Sequence, residues 1–158
     1  RGTTGLLAAA KHPHAQEVLK RQLHTADFRR TYLAVCEGVP RPDEGVMDAP
    51  MGPKPGSLME QQVRPDGKPA RTRWRVLSVH GGRALVQLEL DTGRTHQIRV
   101  HMAHMGHPLT GDFLYGTEDR ELIPRPALHS ARLSLRQPIT GQELTFTAPL
   151  PEDMKRLL

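Results

Sequence analysis

The residues of this chain that could do chemistry concentrate in one stretch, Asp91-Thr-Gly-Arg-Thr-His-Gln-Ile-Arg-Val-His101. Arg94 follows the breaker Asp91-Thr92-Gly93 and precedes a segment with helical spacing, which places it on the turn into a helix N-terminus. A cation there opposes the helix dipole at a cost of roughly 0.3–1 kcal/mol. An anion gripped by the guanidinium would offset that cost. An arbitrary loop arginine is simply solvated, and that is the plain alternative. Gln97, His101 and His104 fall at i+3, i+7 and i+10 from Arg94 and carry a polar stripe from the turn along one helix face. That stripe favours the chemical reading.

Other chemistries fit the residues less well. His96, His101, His104 and His107 invite a metal, but His101 and His104 are i, i+3 with no glutamate between them, and His96 lies on another helix face. That is not the spacing of a zinc hydrolase, so the expectation is polar histidines on the helix surface and no metal. Thr92-Gly93-Arg94 and Arg1-Gly-Thr-Thr-Gly5 match neither the P-loop nor the dinucleotide fingerprint. No G-x-S-x-G elbow and no Cys/His motif points to covalent chemistry through serine or cysteine.

The elements that must position Arg94 read clearly. Ala84, Val86, Leu88 and Leu90 alternate with Gln87 and Glu89, the signature of a strand with one buried face. Ala70 to Val79 pairs with it as a hairpin across His80-Gly81-Gly82. Ile98, Met102 and Met105 form the apolar stripe of the following helix, which Gly106 ends. Thr31 to Cys36, with Tyr32 mid-strand, is buried on both faces and so central in its sheet. Pro13 to about Phe28 is a helix with a basic outer face. Arg41 to Lys68 is a long excursion of turn dipeptides, with a short strand around Val46–Asp48. Ala127–Leu135, opening near Leu128, and Glu143–Ala148 are the last strands, followed by a short helix within Pro151–Leu158. The whole is one domain of α+β class, dominated by antiparallel hairpins.

The 158 residues suffice for a core without staples, and Cys36, alone, fits a reducing, cytosolic setting. No apolar run approaches the ~20 residues that span a bilayer. The formal charge of +5, from 22 Lys+Arg against 17 acids, points to a polyanion, RNA or DNA before a membrane. Three Phe, two Tyr and one Trp are too few for an aromatic stacking platform.

Arg1-Gly-Thr-Thr-Gly-Leu-Leu7, Arg30-Thr-Tyr-Leu-Ala-Val35, Gly93-Arg-Thr-His-Gln-Ile-Arg-Val-His101, Gly111-Asp-Phe-Leu-Tyr-Gly116 and Ala127-Leu-His-Ser-Ala-Arg-Leu133 together resemble the RluA-type RNA pseudouridine synthases. The motifs come in family order and cover essentially the whole chain. The resemblance implies a mixed, mainly antiparallel sheet flanked by helices and loops, and isomerisation of uridine in ribosomal or transfer RNA without metal or other cofactor. The family's first motif reads H-R-L-D-R-x-T-S-G, and its aspartate is the essential residue. The matching segment here starts at Arg1, with Thr4 at the serine position, so the aspartate would fall immediately before Arg1. The expectation is therefore a catalytic domain over 1–158, cut at its N-terminus, without the S4-like RNA-binding domain that many members carry. The piece alone would be inactive and the parent active.

The resemblance implies roles for the remaining residues. Arg94 pairs with that aspartate, Tyr32 lies against the uracil and moves the proton at carbon 5, and Leu128 forms the apolar floor under the ring. The target base must leave its stack to reach such a pocket. Arg1, Thr4, His96, Gln97, Arg99 and His101, together with the basic helix, are expected RNA contacts. RNA is the expected partner and a monomer the expected state. Two alternatives stand beside this: a catalytically inactive RNA-binding or assembly factor on the same fold, and a metal-dependent hydrolase using the histidines.

Overall fold

The alternating apolar run before the central motif becomes a strand, and its sequence neighbours pair around it. In the computed structural model, which describes residues 2–23 and 25–158, the elements in chain order are β1 (Thr4–Gly5), α1 (Pro13–Gln22), β2 (Arg29–Glu37), β3 (Glu44–Asp48), β4 (Met51–Pro53), β5 (Gln61–Val63), β6 (Arg71–His80), β7 (Arg83–Leu90), α2 (Gln97–His104), β8 (Leu128–Arg136), β9 (Glu143–Thr147) and α3 (Glu152–Lys155). Seven strands form one sheet in the order β1-β8-β2-β7-β6-β3, with β9 also paired to β8. Only the β1–β8 pairing is parallel among the described strands. The α+β, mixed and mainly antiparallel architecture is the one expected.

Local chemistry explains the main pairings. Gly81 and Gly82 have φ of +53° and +81°, the positive values that a two-residue hairpin turn between twisted strands requires. β2 lies between β7 and β8 and buries both faces. On one, Ala34 and Cys36 pack with Val86, Leu88, Ile98 and Met102 beneath α2. On the other, Val35 packs with Ile123, Ala127, Met154 and Leu157, which brings α3 into the core. Tyr32 lies on the α2 side, beside Leu88 and Ser130 in the neighbouring strands.

Two elements differ from the sequence reading. α1 stops at Gln22 rather than near Phe28. The Thr25 hydroxyl donates to the Gln22 carbonyl at 2.7 Å and accepts from the Asp27 amide at 3.2 Å, giving the backbone a local alternative to further helix. The Gln22 side chain also exchanges hydrogen bonds of 2.8 and 2.9 Å with the Arg136 backbone, seating the helix end on β8. The excursion from Arg41 to Lys68 holds more structure than one short strand. β3 extends the main sheet beside β6, and β4 with β5 makes a separate hairpin. Met51 and Val63 of that hairpin pack against Ala70, Val100 and Tyr115. Three-residue strands lie below the reach of period-2 patterning.

The first motif lies flush against β8. A Cβ on Gly5, whose φ is +92°, would stand 2.2 Å from the Ser130 carbonyl oxygen. Only glycine satisfies both the backbone angle and the approach.

Candidate active site

Segments far apart in sequence meet in one cleft of about 350 Å³. Thr3–Leu7 line it from the chain's start, Tyr32 from β2, Arg94 and His96 from the β7–α2 turn, and Leu128 from β8. A roomier trough of about 560 Å³ on the opposite sheet face is lined by arginines and acids but holds none of Tyr32, Arg94 or Leu128. Arg73 and Arg136 in it are already paired with Asp91 and Asp27, so volume does not mark the chemistry here.

The turn that carries Arg94 is built by Gln97. Its Oε1 accepts from the Arg94 amide at 3.0 Å and the Thr92 hydroxyl at 2.8 Å. Its Nε2 donates to the Arg71 carbonyl at 2.9 Å and the Thr72 hydroxyl at 3.0 Å. One amide side chain thus ties the turn to β6 with its full hydrogen-bonding capacity. The Arg94 Nε then donates to the Pro69 carbonyl at 2.9 Å. Among the described residues the terminal nitrogens of Arg94 have no hydrogen-bond partner, and Arg94 is one of the residues lining the cleft. The carbonyl dipole meets part of the expected need for negative charge, and a carboxylate suits the rest. The Tyr32 hydroxyl likewise has no hydrogen-bond partner among the described residues.

The expected RNA contacts divide. His96 lines the cleft at φ +57°, a left-handed backbone that is uncommon outside glycine. Tyr115 Oη accepts from the Gln61 amide at 2.9 Å and shares a hydrogen bond of 2.8 Å with His96 Nδ1. Nε2 is the ring nitrogen of His96 left without a partner among the described residues. Gln97, Arg99 and His101 are instead interior, 2%, 5% and 1% exposed. Arg99 donates to Asp112 through two bonds of 2.7 and 2.6 Å. His101 Nε2 donates to the Ala49 carbonyl at 3.0 Å, so its Nδ1 accepts from Thr72 at 2.9 Å. Assigning Gln97 and His101 to the RNA backbone, and His101 to a polar helix surface, is corrected: their polar atoms are consumed inside the fold, while Arg99, held by Asp112, still lines the cleft. The Thr4 hydroxyl is also engaged, with His129 Nδ1 at 2.9 Å, so Thr4 lines the cleft without a free hydroxyl. Arg1 lies outside the described residues. Among the described residues no group of three or more His, Cys, Asp or Glu could hold a metal. Burial pushes the Cys36 thiol up to about 12, which keeps it protonated and inert.

A sequence profile described as RNA pseudouridylate synthase matches residues 1–104. The chain belongs to that family. It is 45% identical over 158 residues, its whole length, to the Bacillus subtilis protein named uncharacterized RNA pseudouridine synthase YjbO, and covers 56% of it. It is 46% identical over 164 residues to the ribosomal large subunit pseudouridine synthase D of Nitrosomonas europaea, matching 99% of this chain and 47% of that protein. The chain thus spans about half the length of these curated relatives. The solved structure of human RNA pseudouridylate synthase domain containing 1 shares the fold at a TM-score of 0.75, with 24% identity, over 89% of this chain and 62% of that one. No helix among the described residues is long and apolar enough to cross a membrane.

Several residues that build this cleft escaped the sequence reading. Asp112 and Tyr115 sit within the Gly111–Gly116 motif, yet their partners Arg99 and His96 lie elsewhere in sequence. His129, beside Leu128, holds the first motif through Thr4. Only the recurrence of these residues within motifs hinted at them.

Buried histidine also makes a pH prediction. Burial pulls His101 below its ordinary 6.5, and burial with the nearby Arg99 charge lowers His96. The unfolded chain then binds those protons more readily, so their contribution to stability is whole above pH about 6.5 and is lost as pH falls below it. Denaturant midpoints are expected to drop between about pH 7 and pH 5, and less steeply in His101→Asn. Identical slopes for the two proteins would contradict this.

Proposed function

We propose that the protein isomerises uridine to pseudouridine in RNA and that this chain supplies its catalytic domain. The observation that carries the reading is the cleft where the first motif, Tyr32, Arg94 and Leu128 converge from four separate segments. In this reading the residue preceding Arg1 carries a carboxylate that pairs with the free end of Arg94. The guanidinium keeps such a carboxylate ionised and aimed. Base and ribose then exchange bonds without any external group. The C1′–N1 bond breaks, the uracil turns over the apolar Leu128 side chain, C1′–C5 forms, C5 loses its proton and N1 gains one. Tyr32 is the group placed to move the C5 proton. The uridine must be flipped out of its stack to enter.

Transcriptome-wide pseudouridine mapping in cells with and without the intact gene tests this. Disappearance of one or more sites on deletion supports the reading, and an unchanged map overturns it. The +5 charge adds a second expectation. RNA affinity should weaken about ten- to hundredfold between about 50 and about 200 mM salt, as release of counterions from a few phosphates requires. A flat titration would contradict backbone-driven binding.

A further inference from the structure

β1 is two residues long, too short to hold itself, and something else must fix the segment that carries the first motif. Two clasps do so. Downstream, the Thr4 hydroxyl engages His129 Nδ1 at 2.9 Å, while His129 Nε2 donates to the Ala148 carbonyl at 3.1 Å. Upstream, one guanidinium spans three parts of the chain. Arg125 Nη1 donates to the carbonyls of Gly2 at 3.2 Å, Pro126 at 3.1 Å and Leu128 at 3.2 Å. Its Nε and Nη2 bind Asp153 of α3 at 2.9 and 2.8 Å.

The Arg125 side chain is 14% exposed and is not among the residues lining the cleft, although Pro126 and Leu128 are. Its anchor is firm, because Met154, next to Asp153, is fully buried in the core. Gly2 approaches closely enough that a Cβ would meet Pro126 Cδ at 3.2 Å. A planar fork with five donors can hold a carboxylate on one edge and carbonyls on the other, which an ammonium cannot do.

We propose that Arg125 is a positioning residue, clamped by Asp153, that fixes the distance between the first motif and the strand bearing Leu128. It thereby sets where the residue preceding Arg1 stands in the cleft. The proposal rests on the function proposed above. It assigns to α3, which lies on the far side of the sheet from α2, the task of holding the reacting segment still. Misplacement of a reacting group by about 1 Å costs about a hundredfold in rate.

The test uses the full-length protein, including the residues before Arg1. Single-turnover rate constants for pseudouridine formation, with enzyme in excess of RNA and well above Kd, are compared among wild type, Arg125→Gln and Arg125→Lys, with RNA Kd measured alongside. Arg125→Gln should lower the rate constant about a hundredfold, with Kd changed less than about threefold, and Arg125→Lys should recover about tenfold of the loss. With folded enzyme still in saturating excess, a partly unfolded population leaves the rate constant alone, so the two causes separate. An unchanged rate constant, a loss confined to amplitude, or Kd rising in parallel with the rate loss overturns the proposal. If Arg125→Gln does not fold, Arg125→Lys decides on the same criteria. Amide exchange at Leu6, which donates to the Ser130 carbonyl, should quicken in either variant whatever the reaction. A wild type that makes no pseudouridine refutes the functional reading, while unchanged exchange refutes the clamp.

Discussion

Arg94→Lys in the full-length protein should reduce turnover by at least about a hundredfold while RNA affinity changes only a few-fold. The guanidinium does two things at once. Nε holds the Pro69 carbonyl at 2.9 Å, which fixes the plane of the fork, and the terminal nitrogens, unpartnered among the described residues, are left for an anion. A lysine ammonium is a single point with no fixed plane. It can reach the Pro69 carbonyl or a carboxylate, but it cannot orient one against the other. Gln97 keeps the backbone of the turn in place in the variant, so the loss should fall on the chemical step rather than on the fold. Turnover near the wild-type rate would refute the pairing of Arg94 with a carboxylate. A parallel collapse of RNA affinity would make Arg94 an RNA anchor instead.

Asp112→Ala should cost about 3–5 kcal/mol of stability, lowering the melting temperature by roughly 10 °C in a chain of this size. Asp112 is 0% and the Arg99 side chain 6% exposed, and two short bonds join them. Asp112 Oδ1 also accepts from the Leu114 and Tyr115 amides at 3.0 and 3.1 Å. Truncating it leaves a buried cation between the Phe113 and Tyr115 rings and strands two amides. Replacing both partners by apolar side chains, as in Arg99→Met with Asp112→Leu, removes the stranded charge and should regain a large part of the loss. Calorimetry on the single and double variants checks this. A single-variant loss below about 1 kcal/mol would show that water reaches the pair.

The sequence was most informative where one local rule acts alone. The β6–β7 hairpin, the central β2 and the helix after Gly93 followed from alternation, apolar stripe and glycine turn. The turn position of Arg94 followed from the change of period between β7 and α2. The reading failed where side chains choose between water and the interior. The stripe of Gln97, His101 and His104 looked solvent-facing, because helical spacing shows which residues share a face but not what that face meets. β6 and Ala49 meet Gln97 and His101 there, and Asp112 meets Arg99. The end of α1 failed for a related reason, since Arg136, more than a hundred residues away, takes the Gln22 side chain.

Residue order by itself determined the strand and helix periods, the hairpin turn, the positive charge and the family motifs, because each is a property of neighbours along the chain. Tertiary structure alone decided that the first motif lies parallel to β8 and that Arg125 reaches from Asp153 to Gly2, and it brought Tyr32, Arg94 and Leu128, grouped beforehand only by the family resemblance, into one cleft. Those contacts join residues up to more than a hundred positions apart. No local pattern encodes which buried donor will find which acceptor; only the close packing of the folded chain, where every interior polar atom must be satisfied, selects the pairs.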